Sequence, residues 1–424
     1  MITIGRQLRF GLGPGLVCLL LVVVLGALPS VPLAAKDAIK STVAKAARLG
    51  GDKARTRFVA DLSRTTDYRI FTLSDPYRVI IDLPNVNFKL PQGLGRKGKG
   101  LVSAFRYGLF APGKSRIVID VIGPVHVEQS FVLKGKGETP AKLVVDIVPT
   151  DAKNFKRRQR ALYEKRQKER KKTQKSSADQ VLNKLTNVNK PSGRPRIVID
   201  PGHGGPDPGA LATSGAREKD VVLAFSKVLF AQLKRLKKYD VKLTRSVDVY
   251  VPLQQRVKIA EDYNASLLIS IHADSISKRL ASRTRGATLY TLSKEGSDQE
   301  ARALANKENQ SDILAGVDLP EESSGVVDIL RDLTMRETKN QSLKFADYAH
   351  SRMQSKTKFT SDSTRSANFV VLRSAVVPSV LIELGYISNK KDEKLLRSKK
   401  WQISLSKALV KAIDQFMRES ASEG

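Results

Sequence analysis

Val198-Ile199-Asp200-Pro201-Gly202-His203-Gly204-Gly205 reads as a buried strand that stops at a proline and hands a histidine to a tight, glycine-rich loop. The β-branched run favours a strand, and proline and glycine then break the ladder. An imidazole raised on such a loop can reach a metal or a substrate. Two further strands in the same half of the chain end on polar groups: residues 267–271 lead into His272, and residues 380–382 lead into Glu383. Glu218 lies just before the helix that follows the first strand, so it can turn back over the same edge. Around these points, residues 196–200, 241–243, 267–271, 287–290 and 379–382 have strand character. Residues 220–236, 253–263 and 404–417 place apolar side chains at helical spacing. The alternation predicts an α/β fold with a mostly parallel central sheet flanked by helices, whose sites form beyond the carboxyl ends of the strands. Two histidines and one carboxylate with a fourth position open to water form a set that zinc favours. The protein has four histidines; His126 reads as an ordinary strand residue and His350 as a surface or packing residue.

The chain as a whole is strongly basic, with 74 Lys and Arg against 42 Asp and Glu and a formal charge of +32 over 424 residues. Such a balance points to a polyanion as partner: nucleic acid, anionic lipid or an anionic wall polymer. The N-terminus narrows the choice. Arg6 and Arg9 precede an apolar run over residues 16–28, which Pro29 and Pro32 break before Ala34-Ala35. That is the layout of a secretory signal peptide over residues 1–35, with an uncleaved anchor helix as the other reading. The one cysteine, Cys18, lies inside the run and leaves with it, so disulfides and thiolate-bound zinc are excluded from the mature protein. Export makes nucleic acid an unsuitable partner, and the basic residues lack the interleaved aromatics that single strands require. No stable membrane span is expected once the leader is gone.

Residues 39–150 read as an all-β domain. Short β-rich runs at 57–62, 68–73, 78–83, 116–122, 125–133 and 142–148 are separated by turn formers such as Ser74-Asp75-Pro76, and several alternate apolar and polar residues. This suits a sandwich with one wet face. Gly93-Leu94-Gly95-Arg96-Lys97-Gly98 matches the dinucleotide fingerprint in letters alone, because no clear strand feeds it and no helix follows. No catalytic set assembles here, so the domain reads as a binding module. Residues 151–195 are dense in Lys, Arg, Gln and Glu, a solvated linker that either spaces the domains or holds anionic polymer. The second domain occupies residues 196–419.

The motifs Asp200-Pro201-Gly202-His203-Gly204-Gly205, Arg217-Glu218-Lys219-Asp220, Ser270-Ile271-His272-Ala273-Asp274 and Ile382-Glu383-Leu384-Gly385-Tyr386 resemble, in order, those of zinc-dependent N-acetylmuramoyl-L-alanine amidases. Asp75-Pro76-Tyr77-Arg78-Val79-Ile80-Ile81-Asp82-Leu83-Pro84 resembles the AMIN β-sandwich that tethers such enzymes to the cell wall. The resemblance implies that His203, Glu218 and His272 bind zinc and that Glu383 is the catalytic carboxylate. It implies a periplasmic enzyme that cuts peptidoglycan between N-acetylmuramic acid and L-alanine during daughter-cell separation. It also implies that a helix inserted at about residues 295–345 blocks the metal through a glutamate, until a LytM-type activator withdraws it. Glu308 is the first candidate for that glutamate and Glu300 the second, while an ordinary surface hairpin is the plainer reading of the insertion. The residues alone leave open another zinc hydrolase of wall material, a peptidase or deacetylase, and a non-catalytic wall-binding scaffold.

Overall fold

The computed structural model describes residues 41–91, 93–135, 139–158, 160, 193–276, 284–317 and 328–422. The expected signal peptide and most of the basic linker lie outside these residues. No helix among those described is long and apolar enough to cross a membrane.

The first domain is a sandwich of two sheets. One has the order β5-β1-β2-β9-β8, built from β1 (Thr42–Gly51), β2 (Thr56–Leu62), β5 (Val86–Phe88), β8 (Val125–Leu133) and β9 (Ala141–Pro149). The other has the order β3-β4-β7-β6, from β3 (Arg69–Leu73), β4 (Arg78–Pro84), β6 (Val102–Ala111) and β7 (Lys114–Val121). Phe58, Leu62, Val79, Ile81, Ile117, Ile119, Leu143 and Val145 interdigitate between them. Period-two alternation sends one set of side chains inward, as expected. The expectation of a wet outer face fails for the four-stranded sheet. Phe71, Leu73, Ile80 and Val118 form a separate buried cluster on its far side. The unbroken runs Val79-Ile80-Ile81 and Ile117-Val118-Ile119 are the sequence sign of strands covered on both faces. Residues 93–98 are turns, not a nucleotide loop.

The second domain holds a six-stranded sheet of order β11-β10-β12-β15-β13-β14. Its strands are β10 (Arg196–Pro201), β11 (Asp240–Leu243), β12 (Leu267–His272), β13 (Ala287–Leu292), β14 (Phe359–Ala367) and β15 (Ser379–Glu383). The pairing is parallel except between β13 and β15. The helices are α1 (Glu218–Leu236), α2 (Leu253–Asp262), α3 (Gln299–Asn309), α4 (Ser311–Leu314), α5 (Asp328–Met353), α6 (Lys390–Leu396) and α7 (Lys399–Ser422). Helix α1 turns Val222, Phe225, Leu229 and Leu233 into the core at i, i+3, i+7 and i+11 spacing and stops at Lys237, whose φ is +57°. The stretch after Tyr290 is less of an appendage than its sequence implies. Phe345, Ala346, Ala349 and Met353 of α5 lie in the main core, and β14 closes the sheet.

Candidate metal and catalytic site

Three strand ends meet at one rim of the sheet. In β10, Pro201 ends the ladder for want of an N–H, and Gly202 N–H donates to Ile271 O at 3.0 Å. A β-carbon at Gly202 would collide with the His272 ring. His203 then sits at φ +57°, a left-handed conformation that costs a side-chain-bearing residue about 1–2 kcal/mol. Buried arginines hold this turn: Arg245 donates to Pro201 O and Gly202 O, and Arg256 donates to Pro201 O and His203 O. Arg256 also pairs at 2.9 Å with Asp200, which accepts from Thr244 and Ser270. In the parallel register His272 of β12 stands opposite Glu383 of β15, so adjacent strands deliver both side chains to the same edge.

Glu218 opens α1, where a carboxylate meets the positive end of the helix dipole. Its oxygens accept from Ala210 N–H and Ala273 N–H, both at 2.8 Å. His203 Nε2 lies 3.2 Å and His272 Nδ1 3.3 Å from Glu218 Oε1. These three side chains form a buried group able to hold a metal ion. A fourth donor comes from α3: Glu308 Oε2 is 3.3 Å from both imidazole nitrogens. Asp298 caps α3 by accepting from Ala301 N–H, and Leu304 and Ala305 pack its inner side, which aims Glu308 at the rim. Glu300 faces elsewhere: it pairs with Arg365 at 2.8 Å and its side chain is 63% exposed, against 5% for Glu308.

The electrostatics call for a cation. Among the described residues, His203 Nε2, His272 Nδ1, both oxygens of Glu308 and Glu383 Oε1 are buried without a hydrogen-bond partner. Orphaned buried groups of this kind are costly, and they converge on one point here. Burial opposes charge on His203, but Glu218, Asp207 and Glu308 outweigh it and hold the imidazole well above its ordinary range. Burial, then the charges of Asp274, Glu218 and Glu308, push Glu383 well above the usual carboxylate range. Asp274 is lifted to about 6, by burial above all, despite the ammonium of Lys307 beside it.

The sequence assigned no role to Asp207 or Asp274, although Asp274 ends the His272 motif and Asp207 stands two residues beyond the His203 motif. Asp207 Oδ2 lies 2.8 Å from His203 Nδ1, the placement that fixes the ring of a metal-binding histidine. Burial works against its charge, but His203, Gly209 N–H and the Ser311 hydroxyl bring its carboxyl down to about 2. Asp274 donates its N–H to Glu383 Oε2 at 2.8 Å and so orients that carboxylate. His350 packs its ring 4.5 Å from Phe359, the plain role expected of it.

A family profile described as N-acetylmuramoyl-L-alanine amidase matches residues 197–415, and one described as AMIN domain matches residues 46–147. The chain is similar to the N-acetylmuramoyl-L-alanine amidase AmiC of Neisseria meningitidis serogroup B, with 30% identity over 93% of this chain and 94% of the relative. It is similar to AmiC of Escherichia coli O6:H1, with 29% identity over 87% and 88% of the two chains. Among solved structures it is similar to the amidase AmiC2 of Nostoc punctiforme, at 26% identity and a TM-score of 0.38, covering 54% of this chain and 99% of that one.

Proposed function

The chain belongs to the N-acetylmuramoyl-L-alanine amidases and carries an AMIN domain ahead of the catalytic one, and from that premise we propose that it is a zinc enzyme held latent by Glu308. It is a peptidoglycan amidase, and family membership sets aside a peptidase, a deacetylase and a scaffold without activity.

The observation that carries the reading is the four-donor cluster. Zinc bonds to nitrogen and carboxylate oxygen of about 2.0–2.2 Å put tetrahedral ligands about 3.3–3.5 Å apart. The four imidazole-to-carboxylate separations among His203, His272, Glu218 and Glu308 are 3.2, 3.3, 3.3 and 3.3 Å. His203, Glu218 and His272 would hold the zinc, which when bound would supply Lewis acidity toward the scissile carbonyl and lower the pKa of water.

Glu383 receives a proton from the attacking water and returns it to the departing amine of L-alanine. Its carboxyl is pushed upward by its surroundings, the direction a proton carrier near neutrality needs. Asp274 orients Glu383 through its main-chain N–H, and Asp207 orients His203. Glu308 occupies the side of the cluster that water and substrate need, so with zinc bound the protein itself would supply all four donors and leave the enzyme without a reactive site.

A latent wall hydrolase suits a timed task. We therefore assign it to daughter-cell separation in the periplasm, with residues 1–35 as its signal peptide, 151–195 as a basic linker and a LytM-type activator withdrawing the insertion near residues 295–345. The test is the full chain loaded with one zinc per molecule, in wild-type and Glu308→Gln forms, on labelled sacculi with product analysis. Glu308→Gln should release new L-alanine amino termini about tenfold faster or more, and a chelator should stop it. Equal rates for the two forms would refute latency, and cleavage unaffected by the chelator would refute the metal.

A further inference from the structure

The outward face of the four-stranded sheet in the β-sandwich is dry, and the end of the blocking segment lies on it. Ile80 and Val118 are fully buried on this face, outside the core between the two sheets. Gly316, at φ +70°, fits against them: a β-carbon there would press on Ile80 Cδ1 and Val118 Cγ2.

Three arginines of the sandwich reach the main-chain oxygens where α4 ends. Arg78 Nη1 donates to Ile313 O, Arg106 Nε to Leu314 O at 3.3 Å and Arg116 Nη1 to Gly316 O at 2.5 Å. The last carbonyls of a helix lack partners within it, and cations there oppose the negative end of its dipole. All three guanidinium groups are held in place by the sandwich itself, Arg78 by donating to Pro76 O at 3.0 Å and Ser74 O at 3.3 Å. Arg116 makes two bonds to Asp82, at 2.5 and 2.8 Å, and lies 3.5 Å over the Phe110 ring. Arg106 makes two bonds to Asp120, at 2.6 and 2.9 Å. Paired, planar donors of this kind lose little freedom on gripping a further acceptor.

The sandwich is also seated on the catalytic domain beside the metal loop. Tyr250 N–H donates to Leu109 O at 2.9 Å, and Leu109 and Val249 form a parallel bridge. Gly108 lies so close to the backbone of Gly205 and Pro206 that no side chain fits between them. Tyr250 in turn donates its hydroxyl to Asp312 at 2.7 Å, so α4 is gripped from both domains at once.

We propose that the sandwich is a lock on the blocking segment, with Arg78, Arg106 and Arg116 holding the 313–316 carbonyls so that Glu308, only a few residues earlier, stays at the metal. This rests on the latency of Glu308 proposed above. The sandwich is then half of the latch, and Glu308 cannot leave the metal with α4 until these bonds break.

The experiment compares six full-length, zinc-loaded forms on labelled sacculi: wild type, Arg106→Ala/Arg116→Ala, Gly316→Leu, Glu308→Gln, and each of the two lock changes combined with Glu308→Gln. The arginine pair should raise basal release about 5-fold or more, the lower end of ordinary coupling between sites. Gly316→Leu leaves the ion pairs inside the sandwich intact and should do the same, which covers failure of the arginine variant to fold. Either change placed on Glu308→Gln should add nothing, because the segment is already ineffective. If Glu308→Gln is activated while neither lock variant is, the lock is refuted and latency stands. A gain from the lock variants that persists in the Glu308→Gln background would also refute it, since the effect would then lie in wall binding. No gain from Glu308→Gln itself would overturn latency instead.

Discussion

Ser311 donates its hydroxyl to Asp207 Oδ2 at 2.8 Å, the same oxygen that lies 2.8 Å from His203 Nδ1. The segment proposed to block the site thus touches it twice, at the donor cluster through Glu308 and behind it through Ser311. A buried hydrogen bond of this kind contributes about 1 kcal/mol, or roughly five-fold in an equilibrium. Ser311→Ala should raise basal amidase activity about two- to five-fold, less than Glu308→Gln. Unchanged basal release from sacculi would show that Ser311 does not hold the segment.

Glu383 is the next point of attack. In the Glu308→Gln background, Glu383→Gln should lower cleavage about 10²- to 10⁴-fold, the usual contribution of a positioned proton carrier. The amide keeps an oxygen for the Asp274 N–H, so bound zinc and melting temperature should stay close to those of the parent. Residual activity within a few-fold of the parent would remove Glu383 from the proton-transfer role.

Stability under the site depends on Asp200 and Arg256, both 1% exposed as side chains. Asp200→Asn leaves the guanidinium buried without its counter-charge and should cost about 3–5 kcal/mol in urea unfolding. Lys258→Ala removes an exposed pair with Asp262 and should change stability by about 0.5 kcal/mol or less. Similar losses for the two would mean that the buried pair is relaxed by water.

The sandwich should show its own acid limb. Arg57 donates two bonds of 2.7 Å to Asp146 and, chiefly through them, holds its carboxyl below the ordinary aspartate value. A lowered folded pKa means that the stabilisation is complete above the unfolded value of about 3.9 and is lost as pH falls through the folded one. Melting curves from neutral pH to about pH 2 should therefore fall less steeply in Asp146→Asn than in wild type, from a lower starting point. Parallel curves would assign the acid limb to other carboxylates.

What could be read from the sequence followed the strength of local pattern. The apolar strand into Pro201, the strand into His272 and the strand into Glu383 announce themselves, because a buried parallel strand is a short apolar run whatever surrounds it. Glu308 was readable as a candidate from its place in a helical stretch with the family resemblance beside it. Strands β1 and β6 were missed, since Ala and Gly dilute Thr42–Gly51 and Arg106 and Gly108 interrupt Val102–Ala111. β14 was missed because Phe359–Ala367 is an edge strand of Ser, Thr and Asp. Asp207, Asp274 and Ser311 act through geometry that exists only once the loops have folded. The dry outer face of the sandwich depends on a contact some 200 residues away in sequence, which no periodicity encodes.

Arg78, Arg106 and Arg116 take hold of main-chain oxygens, and a carbonyl is the same atom whichever residue carries it. The side chains of Ile313 and Leu314 are therefore free to vary without loosening those bonds, whereas each arginine and Gly316 are constrained. The recognition is of a chain path, not of a word, so the segment can change its side chains while remaining legible to its own sandwich.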